Sequence, residues 1–114
     1  MKYSSEVENN VLTLTLSGDL IGEESGLELI ELASQQIEQG VLSCVIDISE
    51  LRYINSSGIG VLITILTKFR NKGGEVCLVK PSENVKKLLI ITKLNAIFNI
   101  ADSEEEALSV LSNS

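Results

Sequence analysis

Histidine and tryptophan are both absent from this 114-residue chain, and proline occurs once. Losing histidine removes the commonest general base near neutral pH and the commonest metal ligand. No Gly-x-x-x-x-Gly-Lys-Ser loop is present to cradle a nucleotide's phosphates. Gly18 and Gly22 are too few and badly placed for a dinucleotide site. Aromatic residues make up only 4% of the chain against 44% hydrophobic residues, so the core has to be built from Leu, Ile and Val. No apolar run reaches the roughly 18 residues of a membrane span. The first ten residues carry one base and no apolar segment, unlike a secretory leader. The two cysteines, Cys44 and Cys77, each sit in an apolar run and read as buried thiols of a reducing cytoplasm. The expectation is a binding protein rather than an enzyme, cytoplasmic, with no cofactor and no metal.

Basic residues are also scarce. The formal charge is -7, which argues against nucleic acid as the main partner. The bases are unevenly placed. Lys2 is the only one before residue 51, while eight fall between 51 and 93. The tail from residue 94 has four acids and no base.

What is present alternates between two periodicities. Residues 2–16 read as a hairpin turning at Glu8-Asn9-Asn10, with Leu12, Leu14 and Leu16 on one face of the strand 10–17. Gly18 and Gly22 bound the next connection. Residues 23–39 read as a helix whose stripe is Leu27, Ile30, Ala33 (or Ser34) and Ile37, with Leu29 and Leu32 beside it, ended by Gly40. Residues 41–48 form a buried central strand, and 57–71 a helix built on Ile59, Leu62, Ile65, Leu66 and Phe69. A strand at 75–80 follows, then a helix capped by Ser82, a short strand or extended piece at 96–100, and a last helix with the capping box Ser103-x-x-Glu106. The order β-β-α-β-α-β-α-β-α implies an α/β fold: a small mixed sheet with an N-terminal hairpin pair and about four helices, in one domain over 1–114.

The stretch Ile54-Asn55-Ser56-Ser57-Gly58 then falls between the central strand and the following helix. Two readings stand. Asn and Ser are among the best N-caps, and Gly58 and Gly60 allow close packing. The same first turn also has unpaired N–H groups and a partial positive charge that stabilise a phosphate, so a serine there can be a phosphoacceptor.

Four blocks carry a resemblance: SGDL at 17–20, VIDISELRYINSSGIGVLITI at 45–65, GGEVCLVKPSENVKKLL at 73–89 and LNAIFNIADSEEEAL at 94–108. Over nearly its whole length the chain resembles a STAS domain (sulphate transporter and anti-sigma factor antagonist) of the small stand-alone bacterial kind. The resemblance implies a partner switch. Such proteins bind an anti-sigma factor that is also a serine kinase, are released when it phosphorylates them, and are restored by a serine phosphatase. The acceptor it implies is Ser56, with Ser57 as second choice. Two positions depart from the family pattern: its signature opens with aspartate where this chain has Asn55, and an aspartate common after the early strand is replaced by Ile21, with Asp19 nearby.

The partner surface expected from the sequence comprises Asp19, Ile21, Asn55, Ser56, Ser57, Gly58, Thr64 and Lys68. Lys68, Arg70, Lys72, Lys86 and Lys87 are expected to steer an acidic partner onto it. No nucleic acid and no direct membrane insertion are expected, and the chain is read as a monomer or weak dimer. Two alternatives share the fold: a non-phosphorylated STAS scaffold, and the STAS subunit of a lipid ABC transporter.

Overall fold

Asn9 and Asn10 both adopt positive φ, 54° and 63°, which is the two-residue turn that matches the twist of a hairpin. It joins β1 (Lys2–Glu8) to β2 (Val11–Leu20), antiparallel and in register from Glu8 opposite Val11 to Lys2 opposite Ser17. The structure, a computed structural model, describes residues 1–21 and 24–112. Among these the chain continues as α1 (Glu24–Glu38), β3 (Ser43–Ile54), α2 (Ser56–Arg70), β4 (Glu75–Val79), α3 (Glu83–Ile91), a short 3-10 turn (Leu94–Ala96), β5 (Asn99–Ala101) and α4 (Glu104–Ser112). The strands lie in the order β1-β2-β3-β4-β5, and every pair after the hairpin is parallel.

Strand alternation divides the core. Leu12, Leu14 and Leu16 of β2, with Cys44, Ile46 and Ile48 of β3, meet residues of α1, α2 and α3 on one face. Val45, Cys77, Val79 and Ala101 face the other way and are covered by Ala107 and Leu111 of α4. Val45 pairs with Cys77 and Cys44 with Val76, so the two thiols point to opposite faces and cannot be bridged. Burial raises the pKa of both. Cys77 is pushed up to about 11, chiefly by burial and then by the Glu106 and Glu75 carboxylates.

Four expectations need correction. β2 does not stop at residue 17. Gly18 lies inside it at φ 87°, where the register with β3 shifts, and pairing resumes through Asp19 and Leu20. β3 likewise runs six residues past Ile48. The polar residues of Ser-Glu-Leu-Arg-Tyr look like a loop in sequence, but Leu51 and Ile54 point into the core while Glu50, Arg52 and Tyr53 point out. In α1 the buried positions among residues 26–38 are Gly26, Leu29 and Ala33, so Leu29 rather than Leu27 joins Ala33 in the core and Leu27 is 66% exposed. The cause is contact with α2: a Cβ on Gly26 would stand 2.8 Å from the Val61 side chain, so this edge of α1 turns inward and Leu27 outward. The extended piece at 96–100 begins as the 3-10 turn, and only Asn99–Ala101 pair as strand. Gly22, expected to bound the connection after β2, and Glu23, expected to start the helix, lie outside the described residues.

Candidate phosphoacceptor turn at the start of α2

β3 ends at Ile54 and α2 begins at Ser56, so a single residue, Asn55, makes the change of direction. The expected loop is absent, and its serines are helical. Asn55 has extended backbone (φ -100°, ψ -178°) and its Oδ1 accepts the Gly58 N–H at 2.8 Å. Its own N–H donates to the Leu20 carbonyl at 3.2 Å, and its Nδ2 donates to the Ile21 carbonyl at 3.5 Å. Asn55 thus fastens the end of β2 to the first turn of α2. Gly58 completes the junction. It is buried, and a Cβ there would overlap the Leu20 carbonyl oxygen and stand 2.9 Å from Ile54 Cγ1. Its role is close packing, not a surface contact.

The capping residues differ from helix to helix. Ser82 Oγ accepts the Val85 N–H at 3.4 Å and Ser103 Oγ accepts the Glu106 N–H at 3.1 Å, so both are working caps. (Glu106 reaches back to the Asp102 N–H rather than to that of Ser103.) At α2 that task belongs to Asn55. Ser56 and Ser57 are both exposed, and among the described residues no hydrogen bond engages either hydroxyl. The first turn of α2 also carries no acid, whereas α3 has Glu83 there and α4 has Glu104, Glu105 and Glu106. Its partial positive charge is therefore left for another anion.

Asp19, Ile21, Asn55, Ser56, Ser57 and Gly58 all gather at this carboxyl end of β2 and β3. Ile21 takes part through its backbone carbonyl, and its side chain is partly exposed. Asp19 pairs with Arg52 at 3.4 Å, an exposed contact that contributes little to stability. Arg52 and the exposed Tyr53 belong to the same rim and were not singled out from sequence. They would have required knowing that β3 runs on beside β2. Thr64 and Lys68 lie further along α2, roughly 12 and 18 Å from Ser56 along the axis. Thr64 Oγ1 donates to the Gly60 carbonyl. Lys68 lines a cleft of about 310 Å³ with Ser34, Ile37, Glu38, Asn71 and Lys72. Of the expected steering bases, Arg70 is committed elsewhere. It donates to Glu75 at 2.9 Å and to the Ile97 carbonyl, tying the end of α2 to β4 and to the residue after the 3-10 turn.

Replacing Asn55 separates its two tasks. Asn55→Ala is expected to lower unfolding free energy by about 1 kcal/mol, the usual value of a lost cap. Asn55→Asp keeps the acceptor for Gly58 and should remain within about 0.5 kcal/mol of the parent. Urea denaturation checks both. An aspartate variant as weak as the alanine one would show that the amide's bond to Ile21 carries the stability.

Comparison with known proteins agrees with this architecture. The STAS domain model matches residues 2–107. A Thermotoga neapolitana protein, named provisionally as an anti-sigma factor antagonist, is 35% identical, covering 93% of this chain and 94% of its own. The anti-sigma F factor antagonist of Paenibacillus polymyxa is 27% identical, covering 97% and 95%. The Bacillus cell-fate determinant SpoIIAA has been solved phosphorylated and unphosphorylated. The two forms match with TM-scores of 0.75 and 0.77, both at 22% identity, covering 95% and 99% of this chain and 97% and 100% of theirs. The hairpin-led mixed sheet, the helix that starts directly at the end of its third strand and this family match lead to one assignment: the chain belongs to the STAS domain family.

Proposed function

We propose that this chain is an anti-sigma factor antagonist: a binding module, not an enzyme, that sequesters an anti-sigma factor with serine-kinase activity and is released when Ser56 is phosphorylated. The observation that carries the reading is the unbonded, exposed Ser56 hydroxyl in the first turn of a helix whose cap is already supplied by Asn55. The names of the relatives from Thermotoga neapolitana and Paenibacillus polymyxa support it. So does the existence of SpoIIAA in a phosphorylated form.

The physical basis is charge. A phosphoserine adds about -1.5 to -2 at pH 7. At Ser56 it lies at the positive end of α2, so the fold accommodates it. A partner seated on the rim formed by Asp19, Ile21, Asn55 and Ser57 would have to desolvate that dianion, so the complex would weaken. Ser57 follows on the same turn and is the second acceptor. A serine phosphatase would complete the cycle in the cytoplasm. Among the described residues no helix is long and apolar enough to cross a membrane.

The test is displacement. Added to a preformed complex of sigma factor and anti-sigma factor from the same cell, the unphosphorylated chain is expected to release the sigma factor stoichiometrically, read by size-exclusion chromatography. A sigma complex left intact by excess chain would refute the reading.

A further inference from the structure

β1 is an edge of the sheet, and among the described residues no strand pairs with its outer side. All its residues but Tyr3 are exposed. The opposite edge, β5, is only three residues long, a common protection against edge pairing. β1 has seven residues, no proline and an unbroken register with β2. Which of its backbone groups are free follows from the turn. Glu8 and Val11 flank the two-residue turn at Asn9-Asn10 and form a hydrogen-bonded pair. Such pairs alternate along an antiparallel ladder, so Glu8, Glu6, Ser4 and Lys2 direct their backbone groups to β2. The Lys2 carbonyl does turn that way, accepting from Ser17 Oγ at 3.4 Å. The N–H and C=O groups of Tyr3, Ser5 and Val7 therefore point to the free edge.

We infer that this edge joins a second copy of the chain, the two β1 strands running antiparallel about a two-fold axis at Ser5. In that register the strand is complementary to itself. Ser5 meets Ser5, Tyr3 meets Val7 and Lys2 meets Glu8, the last two pairs each occurring twice. The free backbone groups of Tyr3, Ser5 and Val7 then form about six N–H···O bonds across the axis. Val7, 45% exposed, covers the Tyr3 ring of the other copy, an aromatic against a β-branched residue. Lys2 and Glu8 fall at non-hydrogen-bonded pairs, where opposed side chains are closest. Among the described residues neither has an ion-pair partner within its own chain. The neighbouring registers that use the same backbone groups fit worse. One sets Glu6 against Glu6, and the other leaves Glu8 beyond the end of the copy's strand. The net charge of -7 on each copy opposes association and the contact is small, so the dimer is weak, dissociating near about 0.1 mM. Ser56 lies at the carboxyl end of β3, two strands in from β1. The axis puts the two phosphoacceptor turns at opposite ends of the joined sheet, where both stay accessible. The inference is independent of what binds at that turn.

Sedimentation equilibrium of the full chain, from about 0.01 to about 0.5 mM, tests it. A monomer–dimer equilibrium is expected. Ser5→Pro removes the outward N–H at the axis and no bond to β2, so it should weaken association at least about tenfold while shifting the thermal midpoint by no more than about 3 °C. Lys2→Glu and Glu8→Lys each oppose like charges and should each weaken association about tenfold. Mixed in equal amounts, these two variants should form a heterodimer about as tight as the parent dimer, because every Glu then faces a Lys. Should Ser5→Pro fail to fold, the charge variants decide alone. A chain monomeric throughout would overturn the inference. So would a dimer that a folded Ser5→Pro retains, or charge variants that their mixture does not rescue. A monomeric chain whose Ser5→Pro variant loses the anti-sigma factor would assign the edge to that partner and equally overturn it.

Discussion

Phosphorylation of Ser56 is expected to lower affinity for the anti-sigma factor at least about 100-fold, or about 2.7 kcal/mol, while leaving the fold as stable or slightly more so. The two effects have opposite signs because they involve different surroundings. Within the chain, the phosphate meets the free end of α2 and gains about 0.3–1 kcal/mol from it. No first-turn acid opposes it, and the cap is Asn55, a neutral amide. Within the complex, the same dianion has to lose water against the partner. Titration calorimetry reads the affinity and thermal denaturation the stability. Ser56→Ala should bind as the parent does and resist release; Ser56→Asp should bind weakly. Equal affinity for these two variants would remove the switch. A large stability loss on phosphorylation would mean that release comes from unfolding.

Gly58→Ala is expected to destabilise the protein by about 2–4 kcal/mol and lower the thermal midpoint by about 10 °C or more. The added Cβ would overlap the carbonyl of Leu20, which is strand backbone and cannot rotate away. α2 would have to lift from the end of β2, breaking the alignment of the Asn55 N–H with the same carbonyl. Gly60, two residues on and in the same helix, is the control. Nothing lies within 4 Å of a Cβ there, so Gly60→Ala should stabilise by about 0.5–1 kcal/mol. Helix propensity alone predicts a gain at both positions. Opposite signs would show that contact with β2 decides at Gly58; a gain at both would show that the junction is looser than the structure has it. If the junction also builds the partner surface, Gly58→Ala should lose binding in the same assay.

The junction also shows what can be read from the chain before folding. Periodicity identified the elements and their order, because Leu12, Leu14 and Leu16 alternate and Ile59, Leu62, Ile65, Leu66 and Phe69 recur on one helix face. It failed where tertiary pairing outweighed local composition. Glu50, Arg52 and Tyr53 look like loop residues, yet β3 continues through them because Leu51 and Ile54 reach the core and β2 resumes pairing after its bulge. Leu27 looked like a core residue until Gly26 gave α1 its approach to Val61. At the site, the serines were legible as a helix start but not as free hydroxyls. That distinction depends on Asn55 Oδ1 reaching the Gly58 N–H, a contact between two residues that each had several roles open to them. Arg70, legible only as a charge, is a tether between α2 and its neighbours.

The most direct measurement is the intact mass of the chain after incubation with ATP and the serine kinase encoded nearest to it. One added phosphate is expected on the parent and none on Ser56→Ala. A phosphate that persists in Ser56→Ala would move the acceptor to another residue. No phosphate, with the complex still forming, would contradict the switch and leave a permanent binder.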